Sequence, residues 1–96
     1  MPLDIFIRFE PKPGKHHRLL QELMRVLPPT RDEPGCIRIH LYESTLEPLT
    51  YFIHSEWIDD RAFDAHAQLP HTQRLRGHLD ELMANPFEAV RTKQID

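Results

Sequence analysis

Histidine is the residue type in this sequence best suited to chemistry near neutral pH. The ring has an ordinary pKa of about 6.5, so it can take up or release a proton at pH 7. No two histidines have the HxH or HExxH spacing that is typical of metal ligands on one strand or helix. We therefore expect no metal site and consider the histidines first as acid–base groups. The chain has seven: His16, His17, His40, His54, His66, His71 and His78.

Other residue types exclude several common kinds of active site. Cys36 is the single cysteine, which excludes an intrachain disulfide, a CxxC redox pair and a thiolate zinc site. The three glycines do not form a phosphate-binding loop, and neither Ser44 nor Ser55 lies in a GxSxG motif. We expect no bound cofactor of the nucleotide type.

Composition limits the size and the partners of the protein. The 96 residues, 40% hydrophobic and 28% charged, predict one globular domain over residues 1–96, small enough to gain stability from a partner subunit. The net charge of −3 is spread along the chain, which argues against nucleic acid and anionic membrane as partners. Apolar runs are too short for a membrane span or a signal peptide, so we expect a cytoplasmic protein.

Hydrophobic periodicity predicts four strands and two helical regions. Period-two alternation favours strands, spacing of three and four favours helices, and prolines separate them. This order is that of the ferredoxin-like split βαβ fold, an α+β class with an antiparallel sheet and both helical regions on one face. The predicted segments are a strand over 3–10, a helix over 14–27 ended by Pro28 and Pro29, strands over 36–43 and 50–58, a helix from Asp59 or Asp60 to about Gln68, another from Pro70 that is terminated by Asn85 and Pro86, and a strand over 87–94.

A hairpin centred near Glu47 assigns side chains to the two sheet faces. The face under the helices then has the pairs Ile37–Trp57, Ile39–Ser55 and Leu41–Ile53. The opposite face has the pairs Arg38–Glu56, His40–His54 and Tyr42–Phe52, beside Phe6 and Arg8. Aromatic side chains mixed with complementary charges favour burial against a second copy of the chain, with a solvated face as the alternative.

A family pattern is recognisable between residues 33 and 75. An acidic residue and a glycine precede the second strand, E-x-W ends the third, and A-H followed by L-P-H lies in the helical region. These positions are Glu33, Gly35, Glu56, Trp57, Ala65, His66, Pro70 and His71. The segment resembles the antibiotic biosynthesis monooxygenase (ABM) domain, and the order of elements agrees over nearly the whole chain.

The resemblance implies a ferredoxin-like protomer in a homodimer whose two sheets form an α/β barrel. Each protomer would hold a pocket between its sheet and its helices. Family members oxidise quinols or polycyclic aromatics with molecular oxygen and without metal, flavin or haem; others degrade haem, and one isomerises a phosphorylated quorum-signal sugar. The haem-degrading branch uses an Asn, a Trp and a His at positions that are Ile7, His66 and Arg76 here, so that set is absent.

Cofactor-independent oxygenation of a small aromatic substrate requires a base of near-neutral pKa in a dry pocket. His66 and His71 are the candidate bases, because they lie on the helical segment that covers the apolar sheet face. For the substrate we expect Ile7 and Ile39 to form the floor, Trp57 to stack on the ring, and Tyr51 to donate a hydrogen bond.

The sequence is also compatible with two other functions. In an isomerase of a phosphorylated sugar, Arg74 or Arg76 would bind the phosphate. In a non-catalytic dimeric binding protein, the pocket would be filled by side chains such as Phe63, Leu75 and Leu79.

Overall fold

Four strands and three helices form the fold in the computed structural model, which describes residues 1–96. The predicted ferredoxin-like α+β fold with an antiparallel sheet is confirmed. Strand ends differ from prediction by at most two residues. The elements are β1 (Leu3–Phe9), α1 (His16–Arg31), β2 (Cys36–Glu43), β3 (Tyr51–Trp57), α2 (Asp60–Ala67), α3 (Pro70–Leu82) and β4 (Ala89–Thr92).

The sheet has the strand order β2-β3-β1-β4, with all neighbours antiparallel. Burial alternates along the two central strands, as period two requires. Leu3, Ile5 and Phe9 of β1 and Tyr51, Ile53 and Trp57 of β3 are buried under the helices. The predicted apolar face is therefore the face that carries the core, and the other face is left exposed. No helix has the length and apolar character needed to cross a bilayer.

The predicted end of α1 is wrong by four residues. Pro28 and Pro29 lie inside the last turn of the helix, which continues to Arg31. Proline has no N–H, so the helix lacks two hydrogen bonds there. The turn is retained because Thr30 is fully buried, and its hydroxyl donates a hydrogen bond of 2.7 Å to the Val26 carbonyl oxygen. Packing at Thr30 therefore outweighs the tendency of the two prolines to end the helix.

The predicted hairpin register is confirmed over most of its length and is wrong at one end. Strands β2 and β3 pair as expected from Arg38–Glu56 to Tyr42–Phe52, with an ion pair of 2.8 Å between Arg38 and Glu56. A β-bulge then shifts the register, so that Cys36 instead of Ile37 faces Trp57. The bulge adds one residue to β2 and turns its side chain outward. Ile37 is accordingly 46% exposed.

The helical region after β3 begins and divides where the sequence predicts. Asp59 is the N-cap of α2, and its carboxylate accepts a hydrogen bond of 2.8 Å from the Ala62 amide. Pro70 occupies the first turn of α3, where its missing N–H costs nothing. Helix α3 buries Leu75, Leu79 and Leu82, whereas no residue of α2 is fully buried.

A buried carboxylate connects α1 to α3. Glu22 of α1 accepts a hydrogen bond from the Arg74 guanidinium of α3. Burial raises the pKa of the Glu22 carboxyl, but the hydrogen bond and the positive charge of Arg74 outweigh burial, so the net pKa is lowered. The Arg74 guanidinium is therefore held against α1 by the Glu22 carboxylate.

Gly35 allows the loop before β2 to pack directly on α2. A Cβ atom at this position would lie 2.3 Å from the Ala62 Cβ atom. We expect Gly35→Ala to push α2 away and to lower the free energy of unfolding by about 1–3 kcal/mol, the usual range for overpacking.

The matched control is Gly77→Ala, because a Cβ atom at Gly77 in α3 would meet nothing within 4 Å. This change is expected to stabilise the protein by about 0.5–1 kcal/mol through helix propensity. Urea denaturation of both variants measures the difference; equal midpoints for the two would contradict the close packing at Gly35.

Candidate active site

A cavity of about 250 Å³ lies between the sheet and the helices. Its lining is largely apolar, and 11 of the 17 lining residues are hydrophobic. The polar groups that reach it are few, as is usual for a site that binds a small apolar molecule. From the sheet it is lined by Ile7, Ile39, Ile53 and Ser55, and from the helices by Phe63, His66, Thr72, Leu75 and Leu79.

His66 brings a titratable ring to the wall of this cavity. It lies in the last turn of α2, and its side chain is only 12% exposed. The imidazole packs on the indole of Trp57, with 4.7 Å between ring centroids, and on the ring of Phe63 at 5.8 Å. These two aromatic side chains fix the plane of the imidazole.

Glu33 holds both candidate histidines through one oxygen atom. Its Oε2 lies 2.7 Å from His66 Nδ1 and 2.7 Å from His71 Nε2. A carboxylate can only accept, so both ring nitrogens donate their protons to it. In the neutral rings, His66 Nε2 and His71 Nδ1 then keep free lone pairs. The hydroxyl oxygen of Thr72 lies almost equally close to both nitrogens of the His66 ring, 3.3 Å from Nδ1 and 3.4 Å from Nε2.

Burial lowers the pKa of His66 below its ordinary value, because a buried imidazole is harder to protonate. The hydrogen bond to Glu33 and the charge of that carboxylate oppose this effect without cancelling it. The neighbouring His71 and Arg76 side chains act in the same direction as burial and lower the pKa of His66 further. His66 is consequently a neutral base at pH 7.

Glu33, His66 and His71 are also the residues in this chain that could hold a metal ion, since their ligand atoms lie within 4.8 Å of one another. Two ligands bound to one tetrahedral zinc ion at 2.0–2.1 Å are about 3.3 Å apart. The two N···O distances here are 2.7 Å, which is the length of a charge-assisted hydrogen bond. The geometry fits a hydrogen-bonded network of acid–base groups.

The structure brings some of the predicted site residues together and separates others. Ile7, Ile39 and His66 line the cavity, and His71 joins them through Glu33. Trp57 is 1% exposed and lies behind His66, with its Nε1–H donating a hydrogen bond of 2.9 Å to Ser55 Oγ, so it does not reach the cavity as a stacking platform. Tyr51 is also outside the cavity; it is 1% exposed, with its hydroxyl 3.5 Å from the His16 carbonyl oxygen.

The role of Glu33 is not predicted from the sequence, although Glu33 is one of the residues that carry the family resemblance. The residue lies 33 positions from His66, so no spacing rule connects them. An acidic residue directly before a strand edge, with Gly35 permitting close approach of α2, was the available signal.

These features define an α+β ferredoxin-like protein with a histidine and a carboxylate beside an apolar cavity. The model of the antibiotic biosynthesis monooxygenase family matches residues 3–77. The chain belongs to this family.

Two relatives bear the name "Putative monooxygenase": Rv0793 of Mycobacterium tuberculosis and YcnE of Bacillus subtilis. The chain is 31% identical to Rv0793 over 95 residues, covering 99% of the chain and 93% of the relative. Identity to YcnE is 29% over 82 residues, covering 85% and 86%. The chain also matches sll1783 of Synechocystis at 28% over 87 residues, covering 91% of the chain but spanning only 59% of that relative's length.

Solved structures agree with the fold. The structure of Rv0793 superposes with a TM-score of 0.94, covering 100% of this chain and 97% of that one at 28% identity. The structure of PA3566 from Pseudomonas aeruginosa superposes with a TM-score of 0.92, covering 99% and 95% at 23% identity. At this low identity, the match to PA3566 shows only that the two folds are similar.

Removal of the Glu33 carboxylate tests the electrostatics of His66. In the intact protein we expect His66 to titrate below 6.5, because burial is the dominant influence on its pKa. In Glu33→Gln the pKa should fall further, since the charge and hydrogen bond that favour the imidazolium are lost. Nitrogen-detected NMR titration of the ring measures both values.

The matched control is Glu43→Gln, which removes an exposed carboxylate at the end of β2 and should leave the His66 titration unchanged. An unchanged or raised His66 pKa in Glu33→Gln would contradict the assigned network.

Proposed function

We propose that this protein is a cofactor-independent monooxygenase that oxidises a quinol or polycyclic aromatic substrate with molecular oxygen. The observation that carries the proposal is a neutral, largely buried histidine at the wall of an apolar cavity, held by a carboxylate on its far nitrogen. Membership of the ABM family, with two relatives named as monooxygenases, supports the same reaction class.

The proposed reaction needs no redox group on the protein. His66 Nε2 takes a proton from the substrate, and the resulting electron-rich anion passes one electron to molecular oxygen. Recombination of the two radicals forms the new carbon–oxygen bond. One oxygen atom enters the product and the other leaves as water, with both hydrogen atoms of that water supplied by the substrate. A hydroquinone then becomes a hydroxyquinone, and an anthrone becomes an anthraquinone.

His66 is the base of this scheme, and Glu33 is its positioning residue. As His66 gains a proton at Nε2, the Nδ1–H bond to the Glu33 carboxylate strengthens and stabilises the imidazolium. His71 shares the carboxylate and holds it in place from α3. Trp57 contributes by packing against the ring of His66, whereas Ile7 and Ile39 provide the apolar floor for the substrate.

Loss of the base gives the most direct test. We expect His66→Ala to lower the turnover of a hydroquinone or anthrone by about 100-fold, the usual scale for removal of a general base. Oxygen uptake by the metal-stripped protein, measured with an oxygen electrode across a panel of such substrates, gives the rate.

His17→Ala is the matched control, since it removes an exposed histidine of α1 that lies outside the cavity. It should keep full activity. Full turnover in a folded His66→Ala protein would remove His66 from the mechanism, and protein-independent uptake across the whole panel would refute the proposed function.

The two other functions have weaker support. For the isomerase of a phosphorylated sugar, Arg74 is occupied by the buried Glu22 carboxylate, which leaves Arg76 as the basic contact. A sugar would also bury hydroxyl groups against a largely apolar lining, at a cost in lost hydrogen bonds to water. For a non-catalytic protein, Phe63, Leu75 and Leu79 should fill the cavity, but these side chains surround an open volume.

We further propose that the protein is a homodimer, joined through the exposed face of the sheet into an α/β barrel. Phe6, Tyr42, Phe52 and Val90 are exposed on this face and surround a shallow concavity. His54 stacks on Phe6 at 4.7 Å and bonds to Asp4 at 2.8 Å, and Arg38 is paired with Glu56. A face of exposed aromatic side chains beside internally paired charges suits burial against a second copy. The sequence also predicts that residues 1–96 form one domain and that the protein is cytoplasmic, and these two statements remain predictions.

A charge placed on this face should separate the subunits. In Phe6→Glu and Phe52→Glu an unpaired carboxylate would be buried in the interface, so we expect monomers by sedimentation velocity at concentrations where the wild type is a dimer. Met24→Glu is the control, because Met24 is as exposed as Phe6 but lies on α1. Dimers in both sheet-face variants would show that the interface lies elsewhere.

A further inference from the structure

The charges around the cavity all have one sign. Of the 17 lining residues, the two with permanently charged side chains are Arg76 of α3 and Arg91 of β4, and no aspartate or glutamate is among them. Both arginines are exposed, whereas the interior is built from buried residues such as Ile39, Ile53 and Leu75. The cavity therefore has an apolar interior and a basic rim.

The two arginines differ in what they already bind. Arg91 forms ion pairs of 2.8 Å with Asp60 and 2.6 Å with Asp64, both on α2, so its charge is neutralised within the protein. Arg76 has no carboxylate within the 4.0 Å of an ion pair. Its guanidinium lies over the ring of Phe87, 5.6 Å from the centroid. This contact holds an unpaired cation at the edge of the cavity.

We propose that the substrate of this cavity is a planar aromatic molecule that carries a carboxylate, and that Arg76 binds that carboxylate at the rim. The inference rests on the proposed function for the chemistry at His66, but the anion site itself requires no turnover. A planar guanidinium matches a carboxylate through two parallel hydrogen bonds, while the ring of the ligand occupies the apolar interior.

A carboxylate suits this rim better than a phosphate ester does. A phosphate monoester carries a charge of about −1.5 to −2 at pH 7, and one free guanidinium would leave much of that charge uncompensated. Arg91 could help only by giving up its two aspartate partners. One free arginine and an apolar interior together fit a ligand that carries a single negative charge on an apolar ring.

The same pairing would affect the base. Positive charge on Arg76 is one of the influences that lower the pKa of His66. A bound carboxylate neutralises that charge, so His66 becomes a stronger base when the substrate is in place. Arg76 would thus bind the correct substrate and make the base more effective in its presence.

Binding of two isosteric ligands tests the inference without any reaction. The acid is 2-naphthoate and its neutral counterpart is 2-naphthamide, neither of which is a quinol. By isothermal titration calorimetry at pH 7.5 and low salt, we expect the wild type to bind the acid about tenfold more tightly, a typical effect of a charge-assisted hydrogen bond. Arg76→Gln should lose this preference and keep its affinity for the amide, which also shows that the cavity is intact.

Arg61→Gln is the matched control, since Arg61 is an exposed arginine of α2 that has no ion pair and does not line the cavity. It should keep the preference for the acid. Failure of the wild type to bind either ligand, equal affinity for acid and amide, an unchanged preference in Arg76→Gln, or tighter binding of 2-naphthyl phosphate than of 2-naphthoate would each overturn the inference.

The test of the anion site and the test of the proposed function can each succeed or fail independently of the other. Arg76-dependent binding of the acid without oxygen uptake from any hydroquinone would support the anion site and refute the monooxygenase. Oxygen uptake that depends on His66, with no preference for the acid over the amide, would support the monooxygenase and refute the anion site.

Discussion

The candidate site depends on one carboxylate oxygen shared by two imidazole rings. Glu33 Oε2 connects three parts of the chain: the loop before β2, the end of α2 and the start of α3. Because the carboxylate accepts from both rings, it selects which nitrogen of each histidine stays unprotonated. Without it, Trp57 and Phe63 would still fix the plane of the His66 ring, but nothing would determine which of its two nitrogens carries the proton.

Close packing positions the Glu33 Oε2 atom between the two histidine rings. The absence of a side chain at Gly35 brings the loop against Ala62, and Trp57 supports the far side of the His66 ring. Helix α3 is fixed independently by its buried leucines and by the Arg74–Glu22 pair. The chemistry assigned to His66 thus depends partly on residues that do not line the cavity, such as Gly35, Trp57 and Arg74, and a histidine in a more loosely packed structure would not present the same lone pair.

Local signals in the sequence were sufficient for most of the fold and for part of the site. Alternation in β1, the Asp59 cap and Pro70 at a first turn each act within a few residues, and each predicted its element correctly. The end of α1 failed because tertiary packing at Thr30 overrides the prolines. Contacts between distant segments determine the role of Glu33 and bury Trp57 and Tyr51 outside the cavity. A local sequence pattern contains no information about such contacts.

Helix α2 has no fully buried residue. Its packing on Trp57 is supplemented by polar contacts: the Asp59 cap, the Arg91 ion pairs to Asp60 and Asp64, and the Glu33 bond to His66. Segments with little buried surface and exposed polar contacts open at a lower free energy than the core does. Local unfolding of α2 would therefore cost less than opening the sheet or α3. His66 and the part of the cavity wall formed by Phe63 and Ala67 lie on this helix, so they would move as one unit, and the cavity would be widest at the moment when the His66–Glu33 hydrogen bond is broken.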